Sequence, residues 1–283
     1  MFAIKIADIS LRESEDHDLL RLGFREKLEM AKLLEKLRVD VIEAGFVGQD
    51  PADAAFIRTL ASTLDYSALC VPVKLDEQSV DRTWGALSSA KKPRLNVPMP
   101  TSTVQMEYMY GMKADAALPL AEKITKYCVK QCPEVEFTAE DATRSEPQFL
   151  ASVLKAVIGA GAKIITLCDS EGEMLPEELT KFVGGVYESV PELRNITLSL
   201  HCMDNLGLAA GAVMAGIKSG ARQIKLSSGG QGRTLALERF LNIIKVRGES
   251  LGISCGVNDT AFRRACMKLA ALANPHGVCD AKI

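Results

Sequence analysis

The sequence predicts a closed (β/α)8 barrel on three observations. Eight short β-branched runs recur along the 283 residues, most of them followed by an amphipathic stretch of helical period. The length fits one such barrel, which typically takes ~250 residues. The rival, an open doubly wound sheet, calls for a glycine-rich turn after the first strand. Here that turn reads Asp8-Ile-Ser-Leu-Arg-Glu13.

In chain order, the strands are expected at 3–8, 39–44, 67–71, 94–97, 135–138, 163–168, 197–202 and 223–227. Apolar residues at helical spacing predict helices over 25–37, 51–62, 114–130, 148–158, 176–190, 206–218 and 235–247. Gly159 and Gly161 precede a strand, whereas a nucleotide loop follows one, so they read as a helix end. Residues 258–273 read as one more helix outside the barrel. With no low-complexity segment, linker or repeat, residues 1–283 are expected to form a single catalytic-type domain without a C-terminal regulatory domain.

Composition excludes several classes. Lys and Arg total 34 against 36 Asp and Glu, a net charge of −2, which gives no general footprint for nucleic acid or an anionic membrane. No apolar run approaches the ~20 residues that span a bilayer. Acids appear too early at the N-terminus for a secretory signal. The eight cysteines (70, 128, 132, 168, 202, 255, 266 and 279) form no CxxC pair. A cytoplasmic protein with reduced thiols is expected.

In such barrels the chemistry sits at the C-terminal ends of the strands. There the sequence places Asp8, Arg12 and Glu13; Glu43; Asn96, Thr101 and Ser102; Thr138, Glu140, Asp141 and Arg144; Asp169 and Ser170; His201, Met203 and Asp204; and Ser227 and Ser228. A divalent metal is the simplest joint use of Glu13 and His201, because a carboxylate and an imidazole suit Mg, Mn or Zn and leave positions for a bidentate 2-oxo acid. From composition alone Glu13 stays open between a ligand and a solvated acid of the run Glu-Ser-Glu-Asp-His-Asp, and His201 between a ligand and a core histidine. His17 and His276 read as surface residues.

The motif Asp8-Ile-Ser-Leu-Arg-Glu13 resembles the D-x-T-L-R-[D/E] signature of the DRE-TIM metallolyases, which include 2-isopropylmalate, homocitrate and citramalate synthases and 3-hydroxy-3-methylglutaryl-CoA lyase. The resemblance continues through residues 25–29, Val41-Ile-Glu-Ala-Gly-Phe46, Thr101-Ser102, Met106-Glu-Tyr108, residues 137–146, His201, Ala221-Arg222-Gln223 and Ala236-Leu237-Glu238. It covers nearly all of residues 4–245. It implies that Glu13 is the metal-binding acid, His201 the first metal-binding histidine, Arg12 the arginine on the substrate carbonyl, Glu43 the glutamate completing the triad, and Ser170 the hydroxyl at the 2-oxo acid carboxylate. Asn96, Thr138 and Arg144 are expected to complete substrate binding.

Three departures accompany the resemblance. Met203 stands where the second histidine ligand belongs, and a thioether is a soft, weak ligand for Mg or Mn. Asn96 replaces a histidine of the fourth strand. In Gly229-Gly-Gln-Gly-Arg-Thr234, Thr234 or Leu235 falls near the family's asparagine; Asp204 is then a possible substitute ligand. The resemblance implies a metal-assisted condensation of acetyl-CoA with a 2-oxo acid, as in amino-acid biosynthesis, by a homodimer or with a partner subunit. The alternatives are an aldolase or lyase on the same barrel, and a binding homologue that has lost catalysis.

Overall fold

Strand pairing closes on itself. In the computed structural model, which describes residues 1–16, 22–228, 233–258, 265, 267 and 268, β1 (Phe2–Asp8) is followed by β2 (Val41–Glu43), β3 (Ala68–Pro72), β4 (Pro93–Pro100), β5 (Val135–Glu140), β6 (Ile164–Asp169), β7 (Thr197–Cys202) and β8 (Gln223–Leu226). Each pairs in parallel with the next, and β8 pairs with β1 (Lys5 opposite Gln223, Asp8 opposite Leu226), so the eight strands form a closed barrel. His17, His276, Gly229–Gly232, Cys266, Cys279 and most of the helix expected over 258–273 lie outside the described residues.

The helices ring the barrel: α1 (Ser10–Asp16), α2 (Phe24–Leu37), α3 (Pro51–Thr63), α4 (Glu77–Leu87), α5 (Ala114–Gln131), α6 (Pro147–Gly159), α7 (Pro176–Ser189), α8 (Ala209–Lys218) and α9 (Leu237–Leu251). Their starts follow local chemistry. Asp50 accepts from Ala52 N–H, Asp76 from Ser79 N–H, and Glu146 from Gln148 and Phe149 N–H, while Pro51, Pro147 and Pro176 occupy first helical positions. Gly161, at φ +108°, lies just beyond the end of α6.

The structure differs from the sequence reading at several elements. The expected helices omit α4, whose core-facing side carries Ser79 and Thr83 beside Val80, Ala86 and Leu87, so few large apolar residues mark its period in the sequence. The short α1 and a one-turn wide-wound helix at Gln105–Met109 are likewise additional. A ninth strand, β9 (Ile253–Cys255), pairs with Phe2–Ile4, the part of β1 that the short β2 leaves uncovered.

β4 runs past Val97 despite Pro98 and Pro100. Leu95 and Thr101 donate their N–H groups to Glu134 O and Glu140 O on the β5 side, so the alternate positions face β3, which ends at Pro72. The missing proline donors therefore fall where no partner strand remains.

Apolar side chains fill the layer between barrel and helices. Inside the barrel, Ala7, Val41, Ala68 and Cys70 form one small apolar patch. The rest of the interior is polar and fully buried: Arg94, Asn96, Glu136, Thr138, Thr166, Ser199, Gln223 and Lys225. Among the described residues, no helix is long and apolar enough to cross a membrane.

Candidate active site

Arg12 and Glu13 stand on α1, which starts two residues beyond β1. Successive helical residues diverge by about 100°, so the two side chains serve different partners. Arg12 Nη1 donates to Glu43 Oε1 at 2.8 Å, and Nη2 lies 3.6 Å from Glu140 Oε1. Burial works against the guanidinium's charge, but Glu43 and Glu140 outweigh it and raise its pKa.

Glu43 continues the contacts inward. Its Oε2 lies 2.5 Å from Lys225 Nζ, which is also 2.8 Å from Glu136 Oε1. Glu136 Oε2 meets Arg94 Nη1 at 3.1 Å, and Arg94 Nε reaches Glu134 Oε2 at 2.8 Å. A column of alternating charge thus runs from the C-terminal rim of the strands to the opposite end of the barrel: Arg12, Glu43, Lys225, Glu136, Arg94, Glu134. Burial favours the neutral forms of Arg12, Glu43, Lys225, Glu136 and Arg94, yet Lys225 and Arg12 hold Glu43 well below the usual carboxylate range. Glu136 and Glu43 in turn raise Lys225 above the ordinary lysine value against its burial.

Glu13 turns to the other side of the rim. The loop after β8 folds back on the end of β7 through an antiparallel bridge between Met203 and Thr234, with Asp204 N–H donating to Arg233 O at 2.7 Å. This brings the Thr234 hydroxyl to 2.5 Å from Glu13 Oε1, 2.9 Å from His201 Nε2 and 3.6 Å from Met203 Sδ. Across the register pair Cys168–His201, the Cys168 thiol lies 3.6 Å from His201 Nδ1. Burial, then Arg12 and Lys225, push His201 down to about 3, so its ring is neutral near pH 7.

A cavity of about 850 Å³ opens over these groups. Arg12, Glu140, Cys168, Ser170, His201, Met203 and Arg233 form its polar floor, with Phe46, Pro98, Met109 and Tyr110 on its walls. The loop after β6 needs Gly172, at φ +65°, because a Cβ there would collide with Met203 O.

The expected site residues divide into groups. Arg12, Ser170, His201 and Met203 line the cavity, whereas Glu13 does not and bonds to Thr234. Ser170 Oγ accepts from Asp141 N–H at 2.9 Å. Glu43 lies beneath the floor behind Arg12. Asn96 and Thr138 bond each other at 2.8 Å within the barrel and are not cavity-lining. Arg144 spans Asp141 and Glu171 at the rim. The Asp204 carboxylate is taken up by Arg239 and by Ala209 N–H at the start of α8.

Sequence reasoning missed Lys225, Glu136, Arg94 and Gln223. The signal was the two-residue alternation in Arg94-Leu-Asn-Val97, Glu136-Phe-Thr138 and Gln223-Ile-Lys-Leu-Ser227, which places a polar side chain inward at every second position.

Comparisons with known proteins give the family. The sequence matches the HMGL-like family over residues 3–267. The chain belongs to that family, the DRE-TIM metallolyases. It is 35% identical over 250 residues to a 2-isopropylmalate synthase of Clostridium kluyveri, covering 87% of this chain and 49% of that protein. It is 33% identical over 277 residues to a 2-isopropylmalate synthase of Shouchella clausii, covering 97% and 54%. The chain thus spans about half the length of these relatives. The hydroxymethylglutaryl-CoA lyase of Pseudomonas aeruginosa shares the fold with a TM-score of 0.80 at 17% identity, covering 95% of this chain and 93% of that one.

Members of the HMGL-like family generally use a divalent metal. The donors assembled here do not suit one. Glu13, His201, Met203 and Thr234 offer a carboxylate, an imidazole, a thioether and a hydroxyl, a set with one anionic ligand and one soft sulfur, poorly matched to Mg or Mn. The Thr234 hydroxyl also lies between Glu13 and His201, bonded to both. Among the described residues, no group of three or more His, Cys, Asp or Glu side chains is placed to share an ion.

Proposed function

We propose that the chain is an acyltransferase of the 2-isopropylmalate or homocitrate synthase type, condensing acetyl-CoA with a 2-oxo acid in the cavity above Arg12. The observation carrying this reading is the Arg12 fork. It is held from behind by Glu43 and from the side by Glu140, and it faces the cavity in a chain about one-third identical to synthases.

A guanidinium fixed by carboxylates is preorganised. It binds the carbonyl oxygen of a 2-oxo acid and gains strength as that oxygen becomes an alkoxide during attack by the acetyl carbon. Ser170 supports the substrate carboxylate from the β6 loop, and the apolar walls exclude water from the developing charge. His201, held neutral near pH 7 by its burial and by Arg12 and Lys225, does not serve as a fixed cation. A cytoplasmic protein acting on small acids and CoA thioesters is consistent with the near-neutral charge balance.

The test is release of free CoA from acetyl-CoA by purified protein across a panel of 2-oxo acids. The expected result is release that depends on one acid or a narrow group of them. Silence across the panel contradicts the reading, and liberation of a 2-oxo acid from hydroxy-acid substrates would move the chain to the lyases.

A further inference from the structure

The end of the barrel opposite Arg12 carries a second cavity. It measures about 380 Å³ and lies at the N-terminal ends of β1 to β5, bordered by Lys5, Asp40, Lys91, Lys92, Arg94 and Glu134. Arg94 is the buried member of this group, its side chain only 2% exposed. Three of its five donors are used: Nε bonds Glu134, and Nη1 bonds Glu136 and Gln223. The two protons of Nη2 meet no acceptor among the described residues. Buried guanidinium donors ordinarily find a partner, so a pair left open beside a cavity points to an anion.

The surrounding charges favour the same occupant. Among the described residues, Lys5 has no carboxylate at ion-pair distance. Lys92 donates to the neutral Tyr66 carbonyl and lies 5.0 Å from the centre of the Tyr66 ring, which fixes its ammonium at the cavity edge. Lys91 is paired with the exposed Asp65. Of the two acids on the wall, Glu134 is taken up by Arg94. Asp40 accepts from Ile6 N–H at 2.8 Å, and burial raises its pKa against the pull of Lys5 and Arg94.

Asp40 also narrows the class of anion. A carboxylate is an acceptor only, and it repels an oxyanion that carries no proton. A phosphate that retains one P–O–H group turns that clash into a hydrogen bond, whereas sulfate cannot. We propose that this cavity binds a phosphate group, free or carried on a small ester, with Arg94, Lys5 and Lys92 as its cations and Asp40 as the acceptor of its proton. The site lies at the far end of the barrel from the cavity above Arg12, and its occupancy does not depend on what that cavity binds.

The experiment is calorimetric titration of inorganic phosphate, glycerol phosphate and sulfate into the whole chain at fixed ionic strength. It is run at about pH 6, where a phosphate ester still carries a proton in part. The expected result is saturable binding of phosphate or its ester, with sulfate at least about tenfold weaker. Tighter binding of the ester assigns the site to phosphorylated small molecules, and tighter binding of the free ion to phosphate itself. Lys5→Ala with Lys92→Ala, both at exposed positions, should weaken phosphate about tenfold. Asp40→Asn, whose amide also donates, should bring sulfate close to phosphate. Arg12→Gln should leave phosphate binding unchanged. Equal binding of sulfate and phosphate to wild type would mean a basic patch without selectivity and would overturn the inference. Loss of binding in folded Arg12→Gln, which would place the anion in the other cavity, or no binding at all, overturns it as well.

Discussion

The hydroxyl of Thr234 lies 2.5 Å from Glu13 Oε1, and it fills the space between that acid and His201 where a cation would need open coordination positions. Glu13 and His201, the positions that the resemblance assigns to metal ligands, are therefore brought together, while both bond the Thr234 hydroxyl. Met203→His combined with Thr234→Asn restores the nitrogen and amide donors that the resemblance implies. The double variant should gain a melting shift with Mn or Mg, about 2.7 kcal/mol at 100 times its dissociation constant. Wild type should show none, and an equal shift in both proteins would show that Thr234 is no obstacle.

Arg12 is expected to carry rate without carrying the fold. Glu43 keeps its second partner Lys225 when Arg12 changes, so Arg12→Lys should leave the melting temperature nearly unchanged. A lysine lacks the planar fork that faces Glu43, Glu140 and substrate together. We expect kcat/KM for CoA release to fall about 10²- to 10³-fold, equivalent to about 2.7–4 kcal/mol. A variant with full activity would remove Arg12 from the chemistry.

Lys225 holds two buried carboxylates apart, with Nζ at 2.5 Å from Glu43 and 2.8 Å from Glu136. Removing one member of such a buried group leaves uncompensated charge and typically costs about 3–5 kcal/mol. Lys225→Met should therefore lower the urea midpoint strongly, and adding Glu136→Gln should recover part of the loss. A cost below about 1 kcal/mol would mean that water reaches the column.

Asp8 and His201 should give opposite pH dependences. Burial, partly offset by hydrogen bonds from Ser228 and Ser10, raises Asp8 from 3.8 to about 6. The folded chain holds that proton more tightly, so the stability it contributes is complete below pH 3.8 and is lost as pH rises through about 6. His201, lowered from 6.5 to about 3, contributes stability that is complete above pH 6.5 and is lost as pH falls. Between about pH 4 and 6 the two slopes, each about 1.4 kcal/mol per unit, oppose each other. Asp8→Asn should make stability rise with pH across that window, and His201→Gln should make it fall. Denaturant midpoints measured at several pH values decide this, and parallel slopes in the two variants would contradict it.

Much of the barrel was legible in the sequence because its signals are local. Strands such as Thr197–Cys202 carry β-branched or apolar residues against the helices, and helices such as Pro51–Thr63 and Pro176–Ser189 announce their starts with proline. α4 was lost because small polar residues face its core side. The extension of β4 past Val97 was hidden because proline donors are harmless only once β3 has ended, a tertiary fact.

The site was legible where one motif carries it, as with Arg12 and Glu13. It was not legible where strands far apart in sequence meet. His201 meets Thr234 across 33 residues of sequence, and Thr234 is brought there by a bridge to Met203. Lys225 matters because three strands direct charges to one axis.

The most direct measurement is a calorimetric titration of pyruvate and longer 2-oxo acids into chelator-treated wild type and into Arg12→Gln. The predicted result is binding to wild type that survives chelation and disappears in Arg12→Gln, because the guanidinium is what holds the oxo acid. Binding that appears only when Mg or Mn is restored, or that is unchanged in Arg12→Gln, would contradict an oxo-acid site built on Arg12.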